Sequence, residues 1–97
     1  MFRHVVMFSW SGKPTEAQLQ AIAGELGQMP DRIDVIRRYQ FGPDAGINPG
    51  NCDFVVVADF DDAAGYLAYR DHPAHRKFIE DYLNPIVARR SAVQYQI

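Results

Sequence analysis

The chain has 97 residues, of which 47% are hydrophobic and 23% are charged, and its formal net charge is −2. These values are typical of a globular protein and exclude a disordered chain. The length allows only one hydrophobic core, so we predict a single domain over residues 1–97. Cys52 is the only cysteine, which excludes an intrachain disulfide and a CxxC metal or redox site.

Charge and hydropathy also limit the partners. Basic residues form no stripe along the sequence, so nucleic-acid binding is not expected. The N-terminal segment lacks the features of a secretory signal peptide, and no apolar run approaches the roughly 18 residues of a membrane span. We therefore expect a cytoplasmic protein without a membrane partner.

The first predicted elements are a strand and a helix. Residues 2–10 are rich in β-branched and aromatic side chains, as strands are. Thr15 and Gln18 have the spacing of a capping box, which marks a helix N-terminus. Apolar residues then recur at helical spacing: Leu19, Ile22, Ala23, Leu26 and Met29. The pattern predicts an amphipathic helix over residues 15–28, ended by Pro30.

The remaining elements complete a recognisable order. Strands are predicted over residues 34–42 and 52–60, on either side of the Gly- and Pro-rich loop GPDAGINPGN. Asp61 or Asp62 is expected to cap a short helix, DAAGYLAYRD, and a second helix, AHRKFIEDYL, follows Pro73. A strand over residues 88–97 closes the chain. The order β-α-β-β-α-β predicts a ferredoxin-like α+β fold, an antiparallel sheet with helices on one face.

The strand composition predicts a second copy of the chain. A sheet covered on one face alternates apolar and polar residues, but the first and third predicted strands carry apolar side chains on both faces. One chain of this length has only enough helix to cover one face. The other face therefore needs a partner, and we predict a homodimer that forms a dimeric α/β barrel.

The segment AYRDHPAHRKF (68–78) concentrates reactive side chains at the junction of two predicted helices. Tyr69 and His72 are three residues apart and share a helix face. Pro73 suits the first turn of the next helix, so His75 lies near that helix's start, where the helix dipole favours a neutral imidazole. A neutral imidazole can act as a general base, and a phenol can donate a hydrogen bond to a carbonyl oxygen. Tyr69 and His75 are the candidate catalytic pair.

A pocket is predicted beside this pair. His4 shares one face of the first strand with Val6 and Phe8. If that face turns toward the helices, these three residues and His72 form the substrate-binding walls of a small apolar pocket. Structural interpretations also remain open: His72 bonds backbone at the helix junction, Tyr69 and His4 are core residues, and His75 has a structural role.

No metal or other cofactor is predicted. The HPAH sequence lacks the spacing and the glutamate of a HExxH zinc site. Asp59, Asp61 and Asp62 are close enough in sequence to suggest Mg²⁺, but helix capping explains them more simply.

Three segments together carry a family resemblance: RHVVMF in the first strand, GPDAGINPGNCDFVVVADF, and YRDHPAHRKF. Over nearly its whole length the chain resembles the stress-responsive A/B-barrel (Dabb) family. The resemblance implies a ferredoxin-like fold and a homodimeric barrel.

The resemblance also implies a function. A plant polyketide cyclase of that family carries the same Y-x-x-H-P-A-H pattern. By that match Tyr69 polarises a carbonyl, His75 removes the acidic proton between two carbonyls, and His4 lines the pocket. The implied activity is cofactor-independent, polyketide-cyclase-like aldol catalysis on a small apolar or carbonyl-containing ligand. The segment AIAGELGQM replaces bulky aromatic residues of the cyclase, so the substrate need not be a polyketide.

Two other functions remain open. One is a non-catalytic, stress-responsive or ligand-binding dimeric module, in which the motif only shapes the helix junction. The other is a monooxygenase-like or haem-degrading dimeric barrel, although the sequence offers no specific haem motif.

Overall fold

The structure is a computed structural model that describes all of residues 1–97. The elements in chain order are β1 (Phe2–Trp10), α1 (Glu16–Arg32), β2 (Arg38–Pro43), β3 (Phe54–Phe60), α2 (Ala63–Asp71), α3 (Pro73–Phe78) and β4 (Val87–Gln96). A single π-helical turn, Ile79–Leu83, continues α3.

The four strands form one antiparallel sheet in the order β2-β3-β1-β4. The helices pack on one face of it, which confirms the predicted ferredoxin-like α+β fold. The core lies between the helices and that face. It includes Val6 and Phe8 from β1, Val56 from β3, and Ile22 and Leu26 from α1. No helix has the length and apolar character needed to cross a membrane.

Local sequence signals determine where two helices begin. Thr15 Oγ1 accepts a hydrogen bond from the Gln18 N–H (3.1 Å), and Gln18 Oε1 accepts one from the Thr15 N–H (2.8 Å). This confirms the capping box of α1. The Asp62 carboxylate accepts a hydrogen bond from the Gly65 N–H (2.9 Å) and so caps α2, one of the two predicted alternatives.

The prediction that Pro30 ends α1 is wrong. The helix continues through Pro30 to Arg32 and ends where the Ile33 N–H donates to the Met29 carbonyl (2.9 Å). In the last turn a proline removes one backbone hydrogen bond. Met29 and Ile33 are almost completely buried, and the burial of these two side chains offsets that loss.

The second strand is shorter at its start than predicted. Residues 34–37 form a turn after α1, and β2 begins at Arg38. Val35 and Ile36 in this turn pack against the core, which explains the apolar signal there. The turn ends at Arg37, whose N–H donates to the Asp59 carbonyl (2.8 Å).

The outer face of the sheet has no helix over it. Val5 lies between Val57 and Val93 on the neighbouring strands. Val93 is 54% exposed, and Met7 and Tyr95 are also exposed on this face. The apolar residues predicted on both faces of β1 and β3 are therefore real, and one face of the sheet is uncovered in a single chain.

Candidate functional site

The helix junction takes its shape from His72 and Pro73. α2 ends at Asp71, His72 has an extended backbone (φ −64°, ψ 135°), and Pro73 is the first residue of α3. His72 Nδ1 accepts a hydrogen bond from the Ala74 N–H (3.1 Å). The imidazole therefore caps α3 and does not line the cavity described below. The structure corrects the expectation that His72 is a wall of the substrate pocket.

We predict that His72→Ala lowers the free energy of unfolding by about 1 kcal/mol, because the first turn of α3 loses its side-chain cap. His72→Asn should recover most of that loss, since asparagine is a good capping residue. Urea denaturation of the three proteins at one fixed concentration measures the effect. An unchanged midpoint in His72→Ala would contradict the capping role.

A cavity of about 230 Å³ lies between the sheet and the helices. It brings together five of the six residues predicted for the site, namely His4, Val6, Phe8, Tyr69 and His75. The rest of its wall is mainly apolar and includes Leu26, Val56, Phe78 and Leu83. The alternation of β1 thus does turn His4, Val6 and Phe8 toward the helices.

The aromatic rings of the site are in contact. The rings of Tyr69 and His75 have centroids 4.1 Å apart, and the centroid of His4 lies 6.3 Å from that of Tyr69. Tyr69 is 2% exposed and His4 is 3% exposed. A molecule in the cavity would meet all three rings, two of which, Tyr69 and His4, are almost completely buried.

The protonation of His75 follows from its hydrogen bond. His75 Nδ1 lies 3.2 Å from the backbone carbonyl oxygen of Arg70. A carbonyl oxygen can only accept, so Nδ1 carries the proton and the lone pair of the neutral ring is on Nε2. Burial lowers the pKa of His75 below its ordinary value, and the Arg70 carbonyl acts in the opposite direction. The imidazole is therefore neutral near pH 7. Burial, rather than the helix dipole expected from the sequence, is the main cause.

His4 has the opposite tautomer. The amide Nε2 of Gln94 donates a hydrogen bond to His4 Nδ1 (2.8 Å), so the proton of the neutral ring is on Nε2. Burial, together with the charge of Arg90, lowers the pKa of His4 to about 4. The cavity wall therefore combines one imidazole that can accept a proton, His75, with one that can donate a hydrogen bond, His4.

Tyr39 supports the Tyr69 hydroxyl. The two phenol oxygens are 2.8 Å apart and hydrogen-bonded. Burial raises the pKa of Tyr39 to about 12 and raises that of Tyr69 well above its ordinary value, so both are protonated phenols. If Tyr39 donates to Tyr69, the Tyr69 proton is available to a carbonyl oxygen in the cavity. Tyr39 was not among the residues predicted for the site.

Two arginines are also part of the wall, and neither was predicted to be. Arg70 is paired with the adjacent Asp71. Arg90 forms no ion pair and no side-chain hydrogen bond. No aspartate or glutamate lines the cavity. With both histidines neutral, the cavity wall carries positive charge although the whole chain has a net charge of −2.

No metal centre is formed by the three neighbouring aspartates. Asp59 accepts two hydrogen bonds from the Arg3 guanidinium, at 2.7 and 2.8 Å. Asp61 pairs with Arg37, and Asp62 caps α2. No group of three or more potential metal ligands occurs in the structure.

Comparison with solved structures identifies the same architecture. A dimeric ferredoxin-like protein of unknown function from Thermobifida fusca YX is 38% identical and superposes with a TM-score of 0.90; the match covers 99% of this chain and 90% of that chain. A Dabb-family protein from Mesorhizobium loti is 23% identical, with a TM-score of 0.82 and coverage of 99% and 95%. A hydroxynitrile lyase from Passiflora edulis is 17% identical, with a TM-score of 0.85 and coverage of 99% and 92%. The last two likenesses show the fold alone.

Sequence comparison gives the family. No curated protein sequence matches the chain. The stress responsive A/B barrel domain, Dabb, matches residues 2–97, which is nearly the whole chain. The predicted resemblance is thereby confirmed, and the chain belongs to the Dabb family.

Proposed function

We propose that this protein is a cofactor-independent catalyst that removes a proton from the carbon next to a carbonyl group and forms a carbon–carbon bond there. The observation that carries the proposal is the lone pair on Nε2 of a neutral, partly buried His75 in ring contact with the Tyr69 phenol. A base and a hydrogen-bond donor side by side are what enolisation needs.

The proposed reaction uses only these groups. His75 Nε2 takes the proton from the carbon, and the electron pair of the C–H bond becomes the enolate, whose oxygen accepts a hydrogen bond from Tyr69. The enolate carbon attacks a second carbonyl group, which forms the C–C bond and leaves an alkoxide. The His75 imidazolium returns its proton to that alkoxide. Aldol closure of a linear polyketide, the reaction that the family resemblance implies, is one instance of this chemistry.

Proton exchange tests the proposed activity and needs no knowledge of the natural substrate. The purified protein is incubated in D₂O with a neutral 2-substituted 3-oxo ester, and the loss of its α-proton is followed by NMR. Wild-type protein is expected to accelerate the exchange above the buffer rate. A rate equal to that of buffer would remove the proposal.

A non-catalytic ligand-binding module is the second candidate, and one observation favours it. His75 Nδ1 is bonded to a backbone carbonyl rather than to a carboxylate, so no anion raises its basicity. In that case ligands would protect the protein against unfolding, but wild-type protein would not accelerate the exchange.

The active form is proposed to be a homodimer joined through the outer face of the sheet. That face is apolar and uncovered around Val5, Val57 and Val93. Similar proteins from Thermobifida fusca, Bacteroides fragilis and Jannaschia are described as dimeric. Sheet-on-sheet packing of two copies would bury these side chains in both.

We predict that Val57→Lys weakens self-association by at least roughly tenfold, because an ammonium group at the centre of an apolar interface loses its hydration without gaining a partner. Sedimentation velocity over a concentration series measures it. Gln20→Lys, which adds the same charge on an exposed position of α1 on the helical side of the sheet, is the matched control and should leave the dimer intact. Equal association of the two variants would place the interface elsewhere.

A further inference from the structure

The charge of the cavity wall indicates what kind of molecule it binds. Arg90 lies on β4 opposite Phe8, and its side chain lines the cavity. The residue is exposed, so the guanidinium stands where the cavity meets solvent. Arg70, the other arginine of the wall, already has a carboxylate partner in Asp71, whereas Arg90 has none.

The positive field of Arg90 reaches the reactive groups. Burial is the main cause of the lowered pKa values of His4 and His75 and of the raised pKa of Tyr69, and the charge of Arg90 acts in the lowering direction on all three groups. No acidic side chain of the wall opposes it. An anion that entered the cavity would therefore meet a guanidinium free to bind it with two parallel hydrogen bonds.

We propose that the cavity selects carbonyl compounds that also carry a carboxylate, and that Arg90 is the residue that determines this specificity. The inference rests on the proposed function, since it names the substrate class of the same site. A carboxylate fits better than a phosphate monoester, because a single guanidinium matches one negative charge and the apolar wall penalises a second. With the carboxylate on Arg90, the rest of the molecule extends along the apolar wall toward Tyr69 and His75.

The binding test uses two probes of nearly the same shape, 4-acetylbenzoate and 4-acetylbenzamide, titrated by calorimetry into the intact protein. Wild-type protein is expected to bind the carboxylate roughly tenfold more tightly than the amide, the scale of one charge-assisted contact. Arg90→Gln should abolish that preference, and Arg90→Lys should retain part of it. Arg89→Gln is the matched control and should keep the preference in full, because Arg89 is the adjacent residue of β4 and does not line the cavity.

Equal wild-type affinities for the two probes would overturn the inference, as would a preference that survives in Arg90→Gln. Phenyl phosphate bound more tightly than 4-acetylbenzoate would also overturn it, in favour of a phosphate ligand. The outcome is independent of the exchange assay, whose 3-oxo ester is neutral. Exchange without a carboxylate preference would remove only the role of Arg90, whereas a preference without exchange would remove only the catalytic proposal.

Discussion

Replacing His75 by glutamine should slow the protein-dependent exchange of the α-proton of a 3-oxo ester by roughly 10²- to 10⁴-fold, the usual contribution of a general base. Glutamine is polar and of similar size, but it has no nitrogen lone pair that can accept the proton. The effect is the largest that we expect of any single substitution. It is measured by NMR in D₂O, with the buffer rate subtracted, on protein whose thermal unfolding shows an intact fold.

Tyr69→Phe separates the hydrogen-bond donor from the base. It should lower the same rate by a smaller factor, on the order of 10- to 100-fold, because the enolate oxygen loses one donor. Tyr82→Phe is the matched control, since its hydroxyl donates to Glu25 (3.2 Å) and Tyr82 does not line the cavity. That control should exchange at the wild-type rate. Wild-type exchange in His75→Gln would show that another group is the base.

The pH profile tests the same assignment. A base must be unprotonated to act, and burial lowers the pKa of His75 below its ordinary value of 6.5. The acid limb of the exchange rate is therefore expected below pH 6.5 and should be absent from the residual rate of His75→Gln. A limb above pH 6.5 would contradict the burial that lowers this pKa.

Signals that lie close together in the sequence predicted much of this molecule. The Thr15–Gln18 capping box, the cap at Asp62 and the position of Pro73 each depend on residues within a few positions of one another, and all three are as predicted. The prediction that Pro30 ends α1 is wrong because it rested only on the local penalty of a proline, which is visible in the sequence. The burial of Met29 and Ile33, which opposes that penalty, is a property of the folded core.

In the site, too, the residues grouped by local sequence signals were predicted, and those brought in by the folded sheet were not. The motif Tyr69 to His75 and the alternation of β1 were enough to group Tyr69, His75 and His4. Tyr39 joins them only through strand register: it lies opposite Ala58, and Ala58 lies opposite His4, so one row across three strands leads from one side chain to the other. Alternation assigns a residue to a face but does not say which residues of other strands stand beside it.

Arg90 was missed for a related reason. Arg89 and Arg90 are adjacent, so the strand puts them on opposite faces of the sheet. The sequence of β4, with arginine, serine and alanine at its centre, has no apolar alternation to show which face is inward. Arg90 pairs with Phe8, which belongs to the core, so Arg90 is on the inward face of the sheet and Arg89 is on the outer face.

The second large effect concerns stability in acid. The neutral His4 ring is buried, and its pKa in the folded protein is about 4 against an ordinary 6.5. Between these values the unfolded chain binds a proton at this residue and the folded protein does not, so stability rises with pH. The contribution is complete above pH 6.5 and is lost as the pH falls toward 4, and it amounts to about 3 kcal/mol. His75 acts with the same sign, because its pKa is also lowered by burial.

We therefore expect the free energy of unfolding to fall by about 3 kcal/mol or more between pH 7 and pH 4, measured by urea denaturation at fixed protein concentration. His4→Gln should flatten this dependence even if it lowers the stability at pH 7, because glutamine does not titrate. If the stability of wild-type protein fell only below pH 4, the titrating groups would instead be carboxylates such as Asp59. The pKa of Asp59 is lowered chiefly by its hydrogen bonds from Arg3. If the pH dependence of stability were unchanged in His4→Gln, the pKa of His4 would not be lowered in the folded protein. Water would then reach the His4 ring, and the pocket would be more hydrated than the proposed chemistry requires.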